Sequence, residues 1–229
     1  MAHLSRLAAP KSWTLKRKEE IWIVRSVPGP HALKKSIPLN LVIKGLLNYA
    51  ETTRDVKKIL NSGKILVDKK TVKDHHFPIG VMDIIEIPDT KESFIVLFDE
   101  LGKFTLKKTK NSNVKYCKIL NKKILKNKKI QLNLDGGRNI LVKKDEYKVG
   151  DTALLDLTKK EITSSLKLEK NALIYLFAGK HVGNVGVLDS IKKSSNGPSR
   201  IILKVKDKKY ETLKNYLIVV DKKFENEFV

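Results

Sequence analysis

The sequence predicts a mixed, mostly β protein. It reads as an extended N-terminal arm over residues 1–36, a small α+β unit of two helices plus a small sheet over 37–92, a central all-β domain over 93–170, and a C-terminal small barrel with a last strand over 171–229. Three observations lead there. From Phe94 onward, short apolar runs are separated by turn signals such as Asp135-Gly136-Gly137 and Gly150-Asp151. Between Ser36 and Gly63 the apolar spacing turns helical. Ahead of Ser36 there is little core, and Pro10, Pro28 and Pro30 interrupt what there is.

In the arm, eight Lys/Arg face only Glu19 and Glu20. Trp13, Trp22 and Ile23 are its apolar anchors, so it is expected to order by lying on something, with a tryptophan docked on the protein body or on a base. Leu39, Val42, Ile43, Leu46, Leu47 and Ala50 then keep i, i+3, i+4 spacing, with Asn40, Lys44 and Asn48 opposite. Ser36 and Pro38 suit a helix start, and Gly45 suggests a close packing approach. A second helix is expected from Thr52 or Thr53 to a stop at Asn61-Ser62-Gly63. Val56, Ile59 and Leu60 form its inner stripe, and Arg54, Lys57 and Lys58 its outer one. Short strands are expected at 64–68, 71–73 and 83–87, then at 94–98, 103–107, 115–120, 129–134, 139–142, 152–156 and 161–167. The last unit adds strands at 172–177, 186–191, 200–206 and 216–220, which fits a small barrel.

Charge bounds the function. The formal net charge is +22, from 47 Lys+Arg against 25 Asp+Glu. Between Glu100 and Asp135 stand eleven lysines and no carboxylate, interleaved with apolar residues from Phe104 to Leu134. A disordered basic tail would lack those apolar residues, so the run reads as folded β structure with lysines on its outer face. A surface so charged repels itself, and a polyanion relieves that repulsion. Nucleic acid fits best, ahead of a solvated lysine face and of an anionic membrane. Lysine outnumbers arginine heavily, which favours contacts to backbone and shape over base edges.

No apolar stretch approaches the roughly eighteen residues that span a bilayer, and the N-terminus has no apolar signal core. The single cysteine, Cys117, suits a reducing cytoplasm and reads as a buried structural thiol. His75-His76 are expected to point apart on a strand, with no third ligand at metal spacing; no metal and no cofactor are implied.

Gly179-Lys180-His181-Val182-Gly183-Asn184-Val185-Gly186-Val187 stands between two apolar strands. Its glycine spacing is wrong for a dinucleotide loop and no helix follows. It resembles instead the KOW motif of RNA-associated SH3-like barrels, where a basic residue follows the first glycine. The helix-helix-sheet unit resembles the S-four-type RNA-binding module, whose helices present a basic face to RNA; Arg54, Lys57 and Lys58 fall on that face. The hairpin Asp68-Lys69-Lys70 departs from the module by lacking a glycine. The order of His3-Leu4-Ser5-Arg6-Leu7-Ala8-Ala9-Pro10-Lys11-Ser12-Trp13, Gly29-Pro30-His31 and Phe77-Pro78-Ile79-Gly80-Val81-Met82-Asp83 resembles the archaeal and eukaryotic S-four-e small-subunit ribosomal protein family. Gly102-Lys103-Phe104 and Gly150-Asp151 continue the likeness, and the short C-terminus favours an archaeal member.

The resemblance implies a ribosomal, cytoplasmic protein whose partners are small-subunit ribosomal RNA and neighbouring small-subunit proteins. It implies no membrane and no small-molecule substrate. The alternative is a free RNA-binding factor associated with ribosomes or transcription. S-four-type modules also precede pseudouridine synthase domains, but the downstream chain lacks an enzyme core of adequate size, so no enzyme is expected. The expected RNA contacts are Arg6, Lys11, Trp13, Lys16, Arg17, Lys18, Arg25, His31, Lys34 and Lys35 in the arm. Lys44, Arg54, Lys57 and Lys58 follow in the helical unit, then Lys107, Lys108, Lys110 and Arg138, and finally Gly179, Lys180, His181 and Gly183.

Overall fold

The structure, a computed structural model, describes residues 3–126, 129–142, 145–192, 199–205 and 208–228; Lys128 and Lys206, which fell in the expected lysine run and in an expected strand, lie outside them. The chain divides into two compact units, one of residues 1–98 and 102–113, the other of 99–101 and 114–229.

In the first unit β1 (Leu4–Ser5) pairs with β2 (Trp22–Ile23), and β3 (Ser36–Pro38) pairs with β6 (Pro78–Gly80). Between β3 and β6 come α1 (Leu39–Leu41), which widens into a π-helical turn over Val42–Leu46, α2 (Thr53–Asn61), β4 (Leu66–Val67) and β5 (Lys70–Thr71). With β7 (Ile84–Ile87), β8 (Glu92–Phe98) and β9 (Phe104–Lys108), these strands build an antiparallel sheet in the order β5-β4-β7-β8-β9. One core joins the helices to this sheet and to β6: Leu39, Val42, Ile43, Val56 and Leu60 pack with Ile79 of β6 and with Ile85, Val96 and Phe104.

α2 forms as its sequence expects. The Thr52 hydroxyl accepts from the Asp55 amide at 3.2 Å, satisfying a first-turn donor, and Gly63 takes the positive φ of 72° that ends the helix. The first helix is shorter than expected. Ser36 belongs to β3 and gives its hydroxyl to Ala32, and Asn40, placed on the outer face by periodicity, is buried. A Cβ on Gly45 would meet nothing closer than 4.0 Å, so no tight approach explains that glycine. The glycine-free hairpin closes with Asp68 at φ 50° and Lys69 at φ 63°, the twist that a two-residue turn between right-twisted strands requires. The Asp68 carboxylate holds this turn by accepting from the Ile84 amide at 3.1 Å.

Two expectations are corrected in this unit. The strands at 94–98 and 103–107 were assigned to the central domain, but β8 and β9 complete the sheet of the helical unit, so the break falls after Asn113 instead of at 92/93. The arm of residues 1–36 is no appendage. Ala9 and Trp13 are buried in the core, and the Trp13 indole N–H donates to the Ser36 carbonyl at 2.6 Å. Phe104 N–H donates to the Ser12 carbonyl at 2.9 Å and ties the same segment to β9.

The second unit holds two antiparallel sheets. The first comprises β10 (Val114–Ile124), β11 (Ile130–Leu134), β12 (Arg138–Val142), β13 (Thr152–Asp156) and β14 (Ile162–Leu166), in the order β12-β11-β10-β13-β14. The second comprises β15 (Leu173–Leu176), β16 (Val185–Lys192), β17 (Arg200–Val205), β18 (Lys208–Leu213) and β19 (Leu217–Val220), in the order β18-β17-β16-β15-β19, and α3 (Lys222–Phe228) follows. β18 and α3 were not expected. Phe224 of α3 packs against Tyr116 and Tyr175 at 5.4 and 5.7 Å, and the Asp221 carboxylate accepts from both the Phe224 amide and the Tyr116 hydroxyl. Burial first, then the Asp221 carboxylate, raises the Tyr116 phenol above its ordinary value. Cys117 is buried, as expected. The lysine run does not face wholly outward: Lys115 and Lys118 are buried, and the Lys118 ammonium donates to the Lys214 carbonyl at 2.8 Å while sitting over the Phe177 ring.

Burial separates the arm's two tryptophans. Trp13→Ala is expected to cost about 3–5 kcal/mol, the usual range for deleting a buried large aromatic. Trp22→Ala, at 57% exposure, is expected to cost within about 0.5 kcal/mol. Urea unfolding of the two variants checks the difference, and near-equal effects would contradict a buried anchor.

Candidate nucleic-acid interface

The exposed cations of α2 form the clearest candidate surface. Arg54, Lys57 and Lys58 are all exposed, while Val56 and Leu60 on the opposite face are fully buried. The sequence separated these faces correctly because α2 is a regular helix whose period holds through both turns.

Next to this face, Asp74, His75 and His76 come together at the turn before β6, with one ligand-type atom from each within 4.8 Å of the others. Sequence reasoning expected the two imidazoles to point apart on a strand. In the turn, their ring centroids are 4.0 Å apart. The Asp74 carboxylate shapes the turn by accepting from the His76 amide at 2.8 Å. His76 Nδ1 lies 2.8 Å from the Arg25 carbonyl, so it carries the proton and donates. Burial, then His76 and Lys57, hold the His75 imidazole below its ordinary value. Lys57 therefore links this turn electrostatically to the basic face of α2.

Several arm residues expected on RNA are committed to the fold instead. Trp13 is 2% exposed and cannot stack on a base. The Arg6 guanidinium donates to the Lys16 carbonyl at 2.7 Å and to Glu20 at 2.8 Å, with Glu19 at 3.5 Å. Arg17 donates to the carbonyls of Leu7, Ala9 and Pro10, holding the 3-10 turn over Arg6–Ala8 and the residues after it. His31 is paired with the buried Asp83 at 3.0 Å. Its ring lies so close to Gly80 that an added Cβ would come within 2.4 Å, which explains a glycine there. Arginine, whose fork of donors suits carbonyl clusters, is used here as internal glue.

The remaining arm cations stay outward. Lys11, Lys18, Lys34 and Lys35 are exposed, Arg25 is half-buried, and Lys16 is exposed beside Glu19 at 3.1 Å. Lys44 is exposed on the π turn. On β9 and just beyond it, Lys107, Lys108 and Lys110 are exposed, with Lys108 bonded to Glu92. That bond, then the one from Tyr49, lowers the Glu92 carboxyl from its ordinary value.

In the second unit Arg138 is half-buried at the start of β12, and Gly179 and Lys180 are exposed. His181 is half-buried, its ring 4.0 Å from that of Tyr210. Gly183 is not a ligand-facing glycine. Its N–H donates to the Leu176 carbonyl at 2.8 Å, its φ is 83°, and a Cβ would meet the Asp99 carbonyl at 2.3 Å. Trp22, expected as an arm anchor on the body or on a base, is exposed beside the His3 ring at 5.3 Å. Sequence reasoning passed over Tyr210, for which an aromatic next to Lys208-Lys209 was the available signal. Among the described residues no helix is long and apolar enough to cross a membrane.

The chain is a two-unit, mostly β protein with basic helical and loop surfaces, and comparison with known proteins gives the family. Residues 90–162 match the model described as Ribosomal family S4e, and residues 2–34 match that of the RS4NT (NUC023) domain. The chain is 41% identical over 227 residues to the small ribosomal subunit protein eS4 of Methanocaldococcus jannaschii, covering 95% of this chain and 93% of the relative. The same identity and coverage hold for the protein of that name from Methanococcus vannielii. The crystal structure of the 30S ribosomal protein S4e from Thermoplasma acidophilum is similar at a TM-score of 0.72 and 27% identity, over 85% of this chain and 99% of that one. The chain belongs to the S4e family of ribosomal proteins.

The triple change Arg54→Ala, Lys57→Ala, Lys58→Ala is expected to weaken binding to structured RNA while leaving the thermal melt nearly unchanged, because it opens no cavity. Val56→Ala is expected to lower the melt first. Filter binding alongside melting separates the two, and normal RNA affinity in the triple variant would reduce this face to a solvated one.

A pH dependence follows from His75. Its folded-state proton affinity is lowered, so the unfolded chain binds the proton more readily. The resulting stability is present above the ordinary histidine value of about 6.5 and is lost as pH falls below it. Urea unfolding from pH 7.5 to 5 is expected to show a shallower loss in His75→Gln than in the parent.

Proposed function

We propose that the protein is a structural constituent of the small ribosomal subunit that binds and stabilises its ribosomal RNA through phosphate and shape contacts. The observation that carries this reading is the exposed cationic face of α2 opposite the buried Val56 and Leu60, in a chain of net charge +22. The relatives' name, small ribosomal subunit protein eS4, supports it.

In this reading the helix-helix-sheet portion of the first unit acts as an S-four-type RNA-binding module. The sheet from β15 to β19, with its 179–184 loop running into β16, acts as an SH3-like KOW element. Lysines neutralise phosphates and release counterions, and the RNA is held by its shape with limited base readout. Neighbouring small-subunit proteins are the other partners, the ribosome in the cytoplasm is the location, and no catalytic step is assigned.

Sedimentation of small subunits through a sucrose gradient in high salt tests the reading. Retention of the protein on salt-washed subunits is expected. Release to the top of the gradient would favour a free RNA-binding factor instead. For the purified protein, neutralisation of about six to ten phosphates predicts an affinity loss on the order of a thousandfold or more between about 50 and 200 mM salt. A slope of log K against log salt shallower than about −2 would contradict phosphate-dominated binding.

A further inference from the structure

We propose that the cavity formed by His181, Asn184, Val205, Lys208 and Tyr210 is a slot for one unstacked nucleobase of RNA. The proposal rests on the RNA-binding reading above and names the chemical feature that this part of the surface takes.

The cavity measures about 270 Å³. That is just below the roughly 300–1,000 Å³ typical of pockets for drug-sized ligands, a size that suits a single planar ring system. Its floor comes from the sheet. Lys208 and Tyr210 stand two residues apart on β18 and so share a face, and register pairs them with Val205 and Leu203 of β17, both buried.

The wall comes from the loop between β15 and β16, which lays the His181 ring against the Tyr210 ring at 4.0 Å and 35°. Asn184 fixes that loop, since its Nδ2 donates to the carbonyls of His181 and Val182 at 3.3 and 3.4 Å. With Nδ2 committed, Oδ1 is the group Asn184 has left to offer.

A nucleobase has flat apolar faces and a polar edge carrying both donors and acceptors. The paired rings and Val205 match the faces, while Asn184 Oδ1 and the Lys208 ammonium match an edge donor and an edge acceptor. Base–aromatic stacking of this kind tolerates any base. A free phosphate would have one lysine and no use for the aromatic wall. An apolar protein side chain would be ill served by the exposed Lys180 and Lys208 nearby, whereas these suit the phosphates on either side of a base.

The test uses the full chain at low salt and two RNA probes of equal charge: octaadenylate, and an octamer of the same backbone with every base removed. Parent protein is expected to bind octaadenylate about tenfold more tightly than the abasic octamer. The double variant His181→Ala, Tyr210→Ala is expected to bring that ratio close to one with the abasic affinity unchanged. Tyr210→Phe, which keeps the ring, is expected to retain the ratio. Tyr210→Leu, which keeps apolar cover over Leu203, is expected to lose most of it, and it serves if the double variant does not fold. Equal binding of both probes by the parent would overturn the proposal, and so would an undiminished ratio in the variants. Binding of neither probe at low salt would overturn the RNA-binding reading itself, and the slot with it.

Discussion

Aspartate bonding to backbone amides is the interaction on which much of this fold rests. The chain has few carboxylates for its cations, and many of its aspartates are engaged in turns. Asp68 takes the Ile84 amide, Asp83 the Gly80 amide, and Asp151 the amides of Lys148 and Leu168. Asp156 takes those of Lys159 and Thr158, which lower its carboxyl from the ordinary value, and Asp221 takes that of Phe224. Tight turns place backbone amides outside the strand ladders, so those amides must be satisfied individually. Carboxylates bound in turns are poorly placed to neutralise lysines on open faces. The requirement to close many tight turns with a small supply of acids thus leaves lysine in excess over the acids available to pair with it. Self-repulsion of that kind favours a polyanionic partner.

A second division of labour separates arginine from lysine in the arm. Arg6 and Arg17 point inward and bond to carbonyls of the arm itself, and His31 pairs with Asp83. Lys11, Lys18, Lys34 and Lys35 are exposed. A segment with two-residue strands has many backbone carbonyls without a ladder partner, and a guanidinium satisfies two or three at once. An ammonium carries no planar fork and loses more by leaving water. Residues that sequence reasoning counted together as cationic contacts therefore fall into two physical classes.

Legibility in the sequence followed the regularity of each element. α2 was readable with its cap, its stop and both faces, because period, Thr52 and Gly63 agreed. Most strands from β7 onward were readable within a residue or two. The first helix was not, since the apolar spacing of residues 39–50 is equally served by a single α turn passing into a wider π turn. β8 and β9 were recognised as strands but given to the wrong unit, because pairing partners are a tertiary property that alternation does not carry. α3 had a signal in Phe224 and Phe228, four residues apart, that went unused. The buried Lys115 and Lys118 had none, since a lysine enters a core only where a carbonyl such as that of Lys214 waits for it.

This division bears on how such a surface distinguishes one RNA from another. Arginine forked onto a base edge is the most direct route to sequence readout, and two of the arm's arginines are withdrawn from it. What remains outward is mainly lysine on strands and on α2, which in the proposed RNA-binding reading would meet phosphates by their spacing and not their sequence. A rigid array of point charges still discriminates, because an RNA fold whose phosphates match the spacing releases its counterions without bending, while a mismatched one must deform. Discrimination of that kind improves as the scaffold stiffens, and the scaffold is stiffened by the aspartate-fixed turns. The aspartates spent on turns, which leave lysine in excess, also fix the scaffold that carries those lysines.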